Sequence, residues 1–170
     1  QRTVGAGAPY YTAPGVPGTG RVWLQRANVS TGNLNTNAST WFLTPPSASV
    51  RELGYALLAA DVRVGRTVAT RPVAWGEEVL VGAPGSYDNV GAIEWYENQG
   101  SDQNGWLLGG ELRPTNGVAG ERFGAAIAAP HNLDAMHPSS STTSTPAWIA
   151  VGSPGRSKVS IYMVLAAQAQ

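Results

Sequence analysis

The two histidines of this chain lie on either side of an acidic residue in a polar segment. His131 and His137 flank Asp134 with a spacing of six, which would bring two imidazoles towards one carboxylate. Zinc sites in proteins use three or four firm ligands, and this segment adds no further firm ligand before it ends at Pro138. We therefore expect surface histidines here and no zinc site.

The acidic residues are not paired in the way that acid–base chemistry requires. Glu77 and Glu78 alternate across the start of a strand, and Asp102 lies in a turn rich in Asn and Gly. General acid–base catalysis needs two such groups positioned together in a cleft. The chain also has no nucleophile elbow, phosphate loop or dinucleotide fingerprint. We expect a protein that is not an enzyme.

Composition excludes several other classes of function. The 170 residues include 11 basic and 11 acidic side chains, so no net field gathers nucleic acid or an anionic membrane. No apolar run approaches the roughly 18 to 20 residues of a membrane-spanning helix. The sequence has no Cys, which removes disulfides, thiolate metal sites and cysteine nucleophiles. We expect no nucleic-acid partner and no membrane span in this segment.

Two asparagines are candidate glycosylation sites. Asn28 and Asn37 each begin an Asn-x-Ser acceptor sequence, and both lie in the polar stretch 28–40. Such sequences are also common by chance where Asn and Ser are abundant. Asn28 and Asn37 would carry glycans only in a chain that a eukaryote secretes.

Short apolar segments separated by Gly, Pro and Asn recur along the chain and predict an all-β fold. They have the length of strands and are rich in Val, Ile, Trp and Tyr, which favour pleated sheets. Two alanine-rich spans, 50–61 and 123–129, carry Gly near their centres, so strands of small residues fit them better than helices.

One pattern occurs three times: an apolar strand that runs into Gly, a small residue and Pro. The copies are Gly7-Ala8-Pro9, Gly82-Ala83-Pro84 and Gly152-Ser153-Pro154. The three prolines are separated by 75 and then 70 residues, and a second strand follows each copy. Proline ends a sheet ladder because it lacks an N–H, while Gly allows a sharp turn and close packing.

Two further elements complete a unit of four strands. Segments 51–56 and 121–126 each precede a copy of the pattern, and a strand that starts with Trp follows at Trp41 and Trp106. With the strands labelled A to D, the chain contains B-C-D in 1–50, A-B-C-D in 51–113 and A-B-C in 114–170. Repeated four-stranded antiparallel sheets predict the blades of a β-propeller, which bury their faces only against neighbouring blades.

The pairing of two motifs adds a family resemblance. Leu53-Gly54 before Gly82-Ala83-Pro84, and Phe123-Gly124 before Gly152-Ser153-Pro154, resemble the FG-GAP repeat of the integrin α-subunit β-propeller. Leu53 replaces the Phe of the family pattern, Ser153 replaces the Ala, and the units are longer than is usual. A closed propeller typically has about four to eight blades. The resemblance therefore implies an incomplete propeller, completed by blades of the same longer chain or of other subunits.

Many FG-GAP blades hold calcium in an Asp-x-Asp-x-Asp-Gly loop between strands A and B, so the resemblance directs attention to these connections. Calcium takes about six to eight oxygen ligands. The connection 61–78 has one Asp at its start and two Glu at its end, with three arginines between them. The connection after 129 offers only Asn132 and Asp134 before a Ser- and Thr-rich stretch. Neither loop is complete. We expect no cofactor, with calcium at Asn132 and Asp134 as the alternative.

The resemblance implies a secreted or cell-surface module for adhesion, protein interaction or structural assembly. Tyr10, Tyr11 and Tyr87 follow the Gly-small-Pro turns, in loops that reach one face of the ring in such propellers. Exposed aromatic rings there would bind a protein or a glycan. Two alternatives stay open: a carbohydrate-binding propeller, and the non-catalytic propeller of a larger secreted enzyme.

Overall fold

The structure is a computed structural model that describes residues 2–12, 18–27, 40–45, 47–60, 67–68, 71–72, 78–98, 105–128 and 147–164. The described residues are mostly strands, which confirms the all-β prediction. The strands are β1 (Arg2–Ala8), β2 (Arg21–Ala27), β3 (Thr40–Leu43), β4 (Ala56–Ala60), β5 (Thr67–Val68), β6 (Arg71–Pro72), β7 (Glu78–Ala83), β8 (Ala92–Asn98), β9 (Trp106–Leu112), β10 (Ala126–Ala128), β11 (Ala147–Ser153) and β12 (Lys158–Val164). A single helical turn, α1 (Ser86–Asn89), and a 3₁₀ turn, Pro154–Arg156, follow β7 and β11.

The strands form three main antiparallel sheets in chain order. The first sheet has the order β1-β2-β3, the second β4-β7-β8-β9 and the third β10-β11-β12. The short strands β5 and β6 pair with each other in the connection between β4 and β7. The first sheet thus begins with the strand that ends in Gly7-Ala8, and the third ends with the strand after Gly152-Ser153.

The segments 51–56 and 121–126 are expected from the sequence to be strands, but each forms a turn before its strand. These turns contain Leu53-Gly54 and Phe123-Gly124 and are called the apolar-Gly turns. Strand β4 begins at Ala56 and β10 at Ala126, so the segments predicted to be the A strands mostly precede them. Left-handed backbone is incompatible with a strand and favours a turn. The left-handed residues are Glu52 (φ 55°), Gly54 (φ 90°), Arg122 (φ 58°) and Gly124 (φ 87°).

The second sheet is covered on both faces by its neighbours. One face, which includes Val81, packs in a single buried cluster with Val22 and Leu24 of the first sheet. Because successive strand residues point to opposite faces, Ile93 lies on the other face. Ile93 packs there in a second buried cluster with Val151 of the third sheet. Each contact between consecutive sheets is called a joint below.

The two joints use the same backbone contacts. In the first joint Leu53 N–H donates to the Thr19 carbonyl at 3.1 Å, and in the second Phe123 N–H donates to the Val90 carbonyl at 2.9 Å. Both side chains are fully buried. The repeat seen in the sequence is therefore also a repeat in three-dimensional contacts.

Glycine at a fixed strand position allows the close approach at each joint. A Cβ atom added to Gly7 would overlap the Gly54 carbonyl oxygen, and one added to Gly82 would overlap the Gly124 carbonyl oxygen. Gly152 occupies the same position in the third sheet, since Gly7, Gly82 and Gly152 pair with Val22, Ile93 and Val159. A Cβ there would meet only the Ala126 Cβ at 3.2 Å and backbone atoms beyond it.

This difference gives a matched pair of substitutions. We expect Gly82→Ala to destabilise the chain by about 2 kcal/mol or more, because the methyl group overlaps a fixed backbone oxygen. Gly152→Ala should change the free energy of unfolding by only about 0.5 kcal/mol. Urea unfolding of both variants measures the difference, and equal losses would contradict the joint geometry.

Candidate functional site

A cluster of polar side chains lies at one end of the second sheet, on the face that packs against the first sheet. Glu94 of β8 is directly opposite Glu111 of β9, and it also lies opposite Val81 of β7. Tyr87 comes from α1, and Arg113 follows β9. Residues opposite each other in antiparallel strands have Cβ atoms about 4.5 to 5.5 Å apart. The two carboxyl groups are therefore neighbours.

A bulge sets this pairing. Trp95 pairs with Gly110 while Tyr96 pairs with Leu108, so Gly109 is an extra residue in β9. Without the bulge, the register that pairs Tyr96 with Leu108 would continue and would bring Gly110, instead of Glu111, opposite Glu94. The indole of Trp95 packs so closely over both glycines that a Cβ on either would overlap it. The bulge thus brings Glu111 to Glu94.

Glu111 is held by two donors. The Tyr87 hydroxyl donates to Glu111 Oε2 at 2.5 Å, and Arg113 Nε lies 2.6 Å from Oε1. The Arg113 guanidinium carbon also lies 4.6 Å from the centre of the Tyr87 ring. Charge-assisted hydrogen bonds of this kind are stronger than neutral ones. Each oxygen of Glu111 therefore has a donor.

Glu94 has a different environment, because its side chain is fully buried. Neither of its carboxyl oxygens has a hydrogen-bond partner among the described residues. Burial, followed by the hydrogen bond and the negative charge of the neighbouring Glu111, raises the pKa of Glu94 to about 8, while Arg113 acts in the opposite direction. A carboxyl group with this pKa is mostly protonated at neutral pH. The Glu94 carboxyl group therefore carries a proton inside the sheet at neutral pH.

The tyrosines beside the two carboxyl groups are also perturbed. Burial, followed by the hydrogen bond to Glu111, raises the pKa of Tyr87 to about 12. Burial, followed by the charge of Glu94, raises the pKa of Tyr96 above its ordinary value. The Tyr96 hydroxyl donates to the Thr44 carbonyl at 3.3 Å, which links the second sheet to the chain after β3. Both tyrosines act here as neutral hydrogen-bond donors.

The backbone of α1 is left-handed over three residues in succession. Tyr87, Asp88 and Asn89 have φ values of 51°, 58° and 63°. Such a conformation is unfavourable for a bulky residue and persists only where the surroundings enforce it. We expect the bonds on both sides of the turn to supply this constraint.

Both neighbouring connections hold the turn. On one side, the buried hydroxyl of Ser86 accepts the Arg51 N–H at 3.0 Å, and Tyr87 N–H donates to the Ser49 carbonyl at 3.1 Å. On the other side, Arg122 N–H donates to the Asn89 carbonyl at 2.8 Å. The site is therefore built at the place where the chain segments of both joints meet.

The three tyrosines proposed as ligand-binding residues are in different environments. The side chain of Tyr10 is 68% exposed. The ring of Tyr11 lies under the Arg21 guanidinium, 3.9 Å from the guanidinium carbon, and Tyr87 belongs to the Glu111 cluster. Tyr10 and Tyr11 belong to the turn that follows β1, which Tyr11 N–H closes by donating to the Ala8 carbonyl, whereas Tyr87 belongs to α1 after β7. Tyr10 is the most available of the three rings.

Several predicted site residues lie outside the described residues. These are Asn28 and Asn37 for glycosylation, Asn132 and Asp134 for calcium, and His131 and His137. Within the described ranges, no group of three or more His, Cys, Asp or Glu side chains could hold a metal ion. The same part of the chain contains no helix that is long and apolar enough to span a membrane.

The motif residues of the repeat are all described. Gly7, Gly82 and Gly152 occupy one strand position, as shown above, and Leu53 and Phe123 fill the two joints. Pro84 is fully buried, whereas Pro154 is exposed. Ala83 is buried in the first joint, and Ser153 is buried with no partner for its hydroxyl among the described residues. Ala8 is exposed at the end of β1, Pro9 is half-buried, and Gly54 and Gly124 are buried.

The Glu94–Glu111 pair is not predicted from the sequence, where the carboxylates considered are Glu77, Glu78 and Asp102. Glu77 and Asp102 lie outside the described residues. One signal points towards the pair: Gly109-Gly110 inside a strand pattern indicates a bulge. The strand partner of Glu94 depends on that bulge, so the pair follows only from the structure.

Comparison with known proteins adds no relative: no protein-family model matches the chain, and no curated protein is significantly similar to it.

The hydrogen bond from Tyr87 to Glu111 can be tested without changing the size of the ring. We expect Tyr87→Phe to lower the free energy of unfolding by about 1.5 to 3 kcal/mol, the range for a hydrogen bond to a charged group. Tyr10→Phe is the matched control and should have almost no effect, because that ring is exposed. Denaturant unfolding at pH 7 measures both, and an unchanged Tyr87→Phe variant would show that the bond contributes nothing to stability.

Proposed function

We propose that this chain is part of a β-propeller built from FG-GAP-like repeats and that it serves as a non-enzymatic interaction or assembly module. The proposal is supported first by the repeated joint. Two consecutive joints use equivalent glycines, equivalent buried apolar residues and equivalent backbone hydrogen bonds. A contact that repeats from each sheet to the next is what adjoining propeller blades require, because each blade packs only against its neighbours.

The observation that carries the proposal is the outer face of the third sheet. Val159 holds the strand position of Val22 and Ile93, both fully buried in the two joints, yet Val159 is 66% exposed. Its neighbours on the same face are exposed to a similar degree: Trp148 (46%), Ile161 (60%) and Met163 (47%). Large contiguous apolar patches of this kind usually mark an interaction surface.

The first sheet has an open face at the opposite end. Trp23 holds the strand position that Glu94 holds in the second sheet, and Phe42 is its partner across the strands. The Phe42 side chain is 56% exposed, and the Arg21 guanidinium lies 5.3 Å from the centre of its ring. In the second sheet the corresponding face is covered by the preceding sheet.

Both open faces fit further sheets of the same repeat. A following sheet would cover Val159 and bring its own apolar-Gly turn next to Gly152, where a Cβ has room that the other two positions lack. A preceding sheet would cover Phe42. These sheets would come from the same longer chain or from other subunits, in a secreted or cell-surface protein.

A second candidate function rests on Tyr10. Its ring is 68% exposed beside the first sheet, and an exposed aromatic ring suits stacking on a sugar. This would make the segment a carbohydrate-binding module. Binding of the chain to a glycan array, lost in Tyr10→Ala and retained in Tyr55→Ala, would support it. Tyr55 is the control because it is also an exposed tyrosine, with 41% of its side chain accessible.

Substitutions at two equivalent strand positions, Ile93 and Val159, test which sheet faces are covered. We expect Ile93→Ser to lower the free energy of unfolding by about 3 kcal/mol or more, because it leaves a cavity and a buried hydroxyl. Val159→Ser should change it by only about 0.5 kcal/mol and should reduce the binding of a hydrophobic dye. A large loss of stability in Val159→Ser would show that the third sheet is already covered.

A longer chain tests the proposed occupant of the face. A second copy of residues 99–164, joined after Val164, supplies the missing fourth strand of the third unit and the first three strands of a fourth unit. In this extended chain, Val159→Ser at the original position should become as destabilising as Ile93→Ser. An appended copy with Gly124→Val is the control, since the added side chain blocks the approach to Gly152. If Val159→Ser still has little effect on the free energy of unfolding of the extended chain, the added unit does not cover the third sheet and the proposal fails.

A further inference from the structure

The buried carboxyl group of Glu94 is not a requirement of the repeat. The register of the three sheets gives Trp23, Glu94 and Ser160 the same strand position, opposite Ala6, Val81 and Val151. The three sheets therefore carry an aromatic ring, a carboxyl group and a hydroxyl at this strand position. Glu94 therefore introduces into the first joint a group that the sheet itself does not need.

The surroundings of Glu94 contain few groups able to neutralise a charge. The titratable and charged groups that face it in the described part of the chain are Glu111 and Arg113 after the bulge, Tyr87 from α1, and Tyr96 on its own strand. β7 presents Val81 opposite it. The first sheet contributes apolar side chains to the buried cluster on this face: Val22, Leu24 and Leu43. Arg113, the one cation among these groups, is already paired with Glu111.

A proton between the two carboxyl groups would give the buried oxygens of Glu94 a hydrogen-bond partner. Tyr87 and Arg113 occupy one oxygen of Glu111 each, and each carboxylate oxygen can accept more than one hydrogen bond. A protonated Glu94 can donate to Glu111 and so satisfy a group that is otherwise buried without a partner. An ionised Glu94 has no donor and lies beside a second negative charge.

We infer that Glu94 and Glu111 form a proton-operated latch, which holds the first and second sheets together when Glu94 is protonated and loosens their joint when the proton leaves. The latch acts at the first joint because Glu94 lies on the face that packs against the first sheet. The second joint uses the opposite face, and its apolar cluster consists of Ile93, Phe123, Ile149 and Val151. The buried carboxyl group near that joint, Glu121, differs from Glu94 because its Oε2 accepts the Val118 N–H at 3.2 Å and lies 3.9 Å from Arg156 Nη1.

The direction of the pH effect follows from linkage. The pKa of Glu94 is raised from 4.5 to about 8 in the folded protein, so the folded state retains its proton over a pH range in which the unfolded chain has lost it. Stability from this group is therefore complete below about pH 4.5, decreases as the pH rises from there to about 8, and is lost above that pH. The contribution of Glu94 to the joint is largest in acid solution, smaller at neutral pH and absent in alkaline solution.

Amide hydrogen exchange gives a test with an internal control. The Leu53 amide reports on the first joint and the Phe123 amide on the second, because each donates the equivalent hydrogen bond. Protection factors are compared at pH 6 and pH 9, so that the intrinsic pH dependence of exchange cancels. We expect the protection of Leu53 to fall at least tenfold more than that of Phe123. Equal changes at both amides would overturn the latch.

Substitution separates the proton effect from a general alkaline effect. Glu94→Gln keeps a hydrogen-bond donor that cannot ionise, and it should remove most of the extra loss at Leu53 between pH 6 and pH 9. Glu97→Gln makes the same change on the opposite face of the same strand and should leave the wild-type pH dependence intact. If Glu94→Gln shows the same pH dependence as the wild type, Glu94 is not the group responsible.

A titration of the unmodified chain gives a readout that does not depend on the folding of a variant. Carbon-13 NMR of labelled glutamate side chains follows each carboxyl group from pH 3 to pH 10. One glutamate should titrate more than two pH units above the others, and its signal should be missing in Glu94→Gln. A wild-type chain in which all glutamates titrate near 4.5 would overturn the inference. The latch can fail in this way while the proposed assembly function stands.

Discussion

The contact on which this structure depends is the close approach of backbone to backbone at the joints. At Gly7 and again at Gly82, the strand of one unit touches the carbonyl group of the next apolar-Gly turn, at a distance that no side chain allows. The approach buries Leu53 and Phe123 completely and lets their amides bond to the preceding unit. The second sheet takes part in this contact on both of its faces and is therefore buried on both.

The joint also determines which sheet faces are exposed to solvent. A contact that is repeated in one direction leaves one face uncovered at each end, and both ends here present large side chains to solvent. Val159 and Ile93 are alike in type and strand position and differ only in what covers them. The exposed face is thus a property of the repeat itself, and not of an unusual local sequence. Only 13% of the residues of the chain are charged, so electrostatics adds little selectivity, and shape and apolar area must dominate any association through these faces.

The sequence predicts most of the architecture and little of the polar site. Gly82-Ala83-Pro84 and its two copies predict the strand order, because Gly and Pro restrict the backbone in a way that is visible in one dimension. The left-handed turns at Glu52 and Arg122 are less visible, since a charged residue does not mark such a conformation. Tyr87 is similar: neighbouring segments that are distant in sequence hold its backbone. The Glu94–Glu111 pair depends on the bulge at Gly109, because a register without the bulge would pair Glu94 with Gly110. Local patterns therefore predict the sheets, whereas the site depends on register and on contacts between units.

The central claim is that the joint repeats from sheet to sheet. It is tested most directly by the solvent accessibility of residue 159 in the present chain and in the extended chain. The chain has no Cys, so Val159→Cys and Ile93→Cys each introduce a single thiol whose rate of alkylation reports exposure. The account predicts fast labelling of Val159→Cys and slow labelling of Ile93→Cys in the present chain, and slow labelling of both in the chain extended by residues 99–164. Rapid labelling of Val159→Cys in the extended chain would contradict a joint that repeats from sheet to sheet.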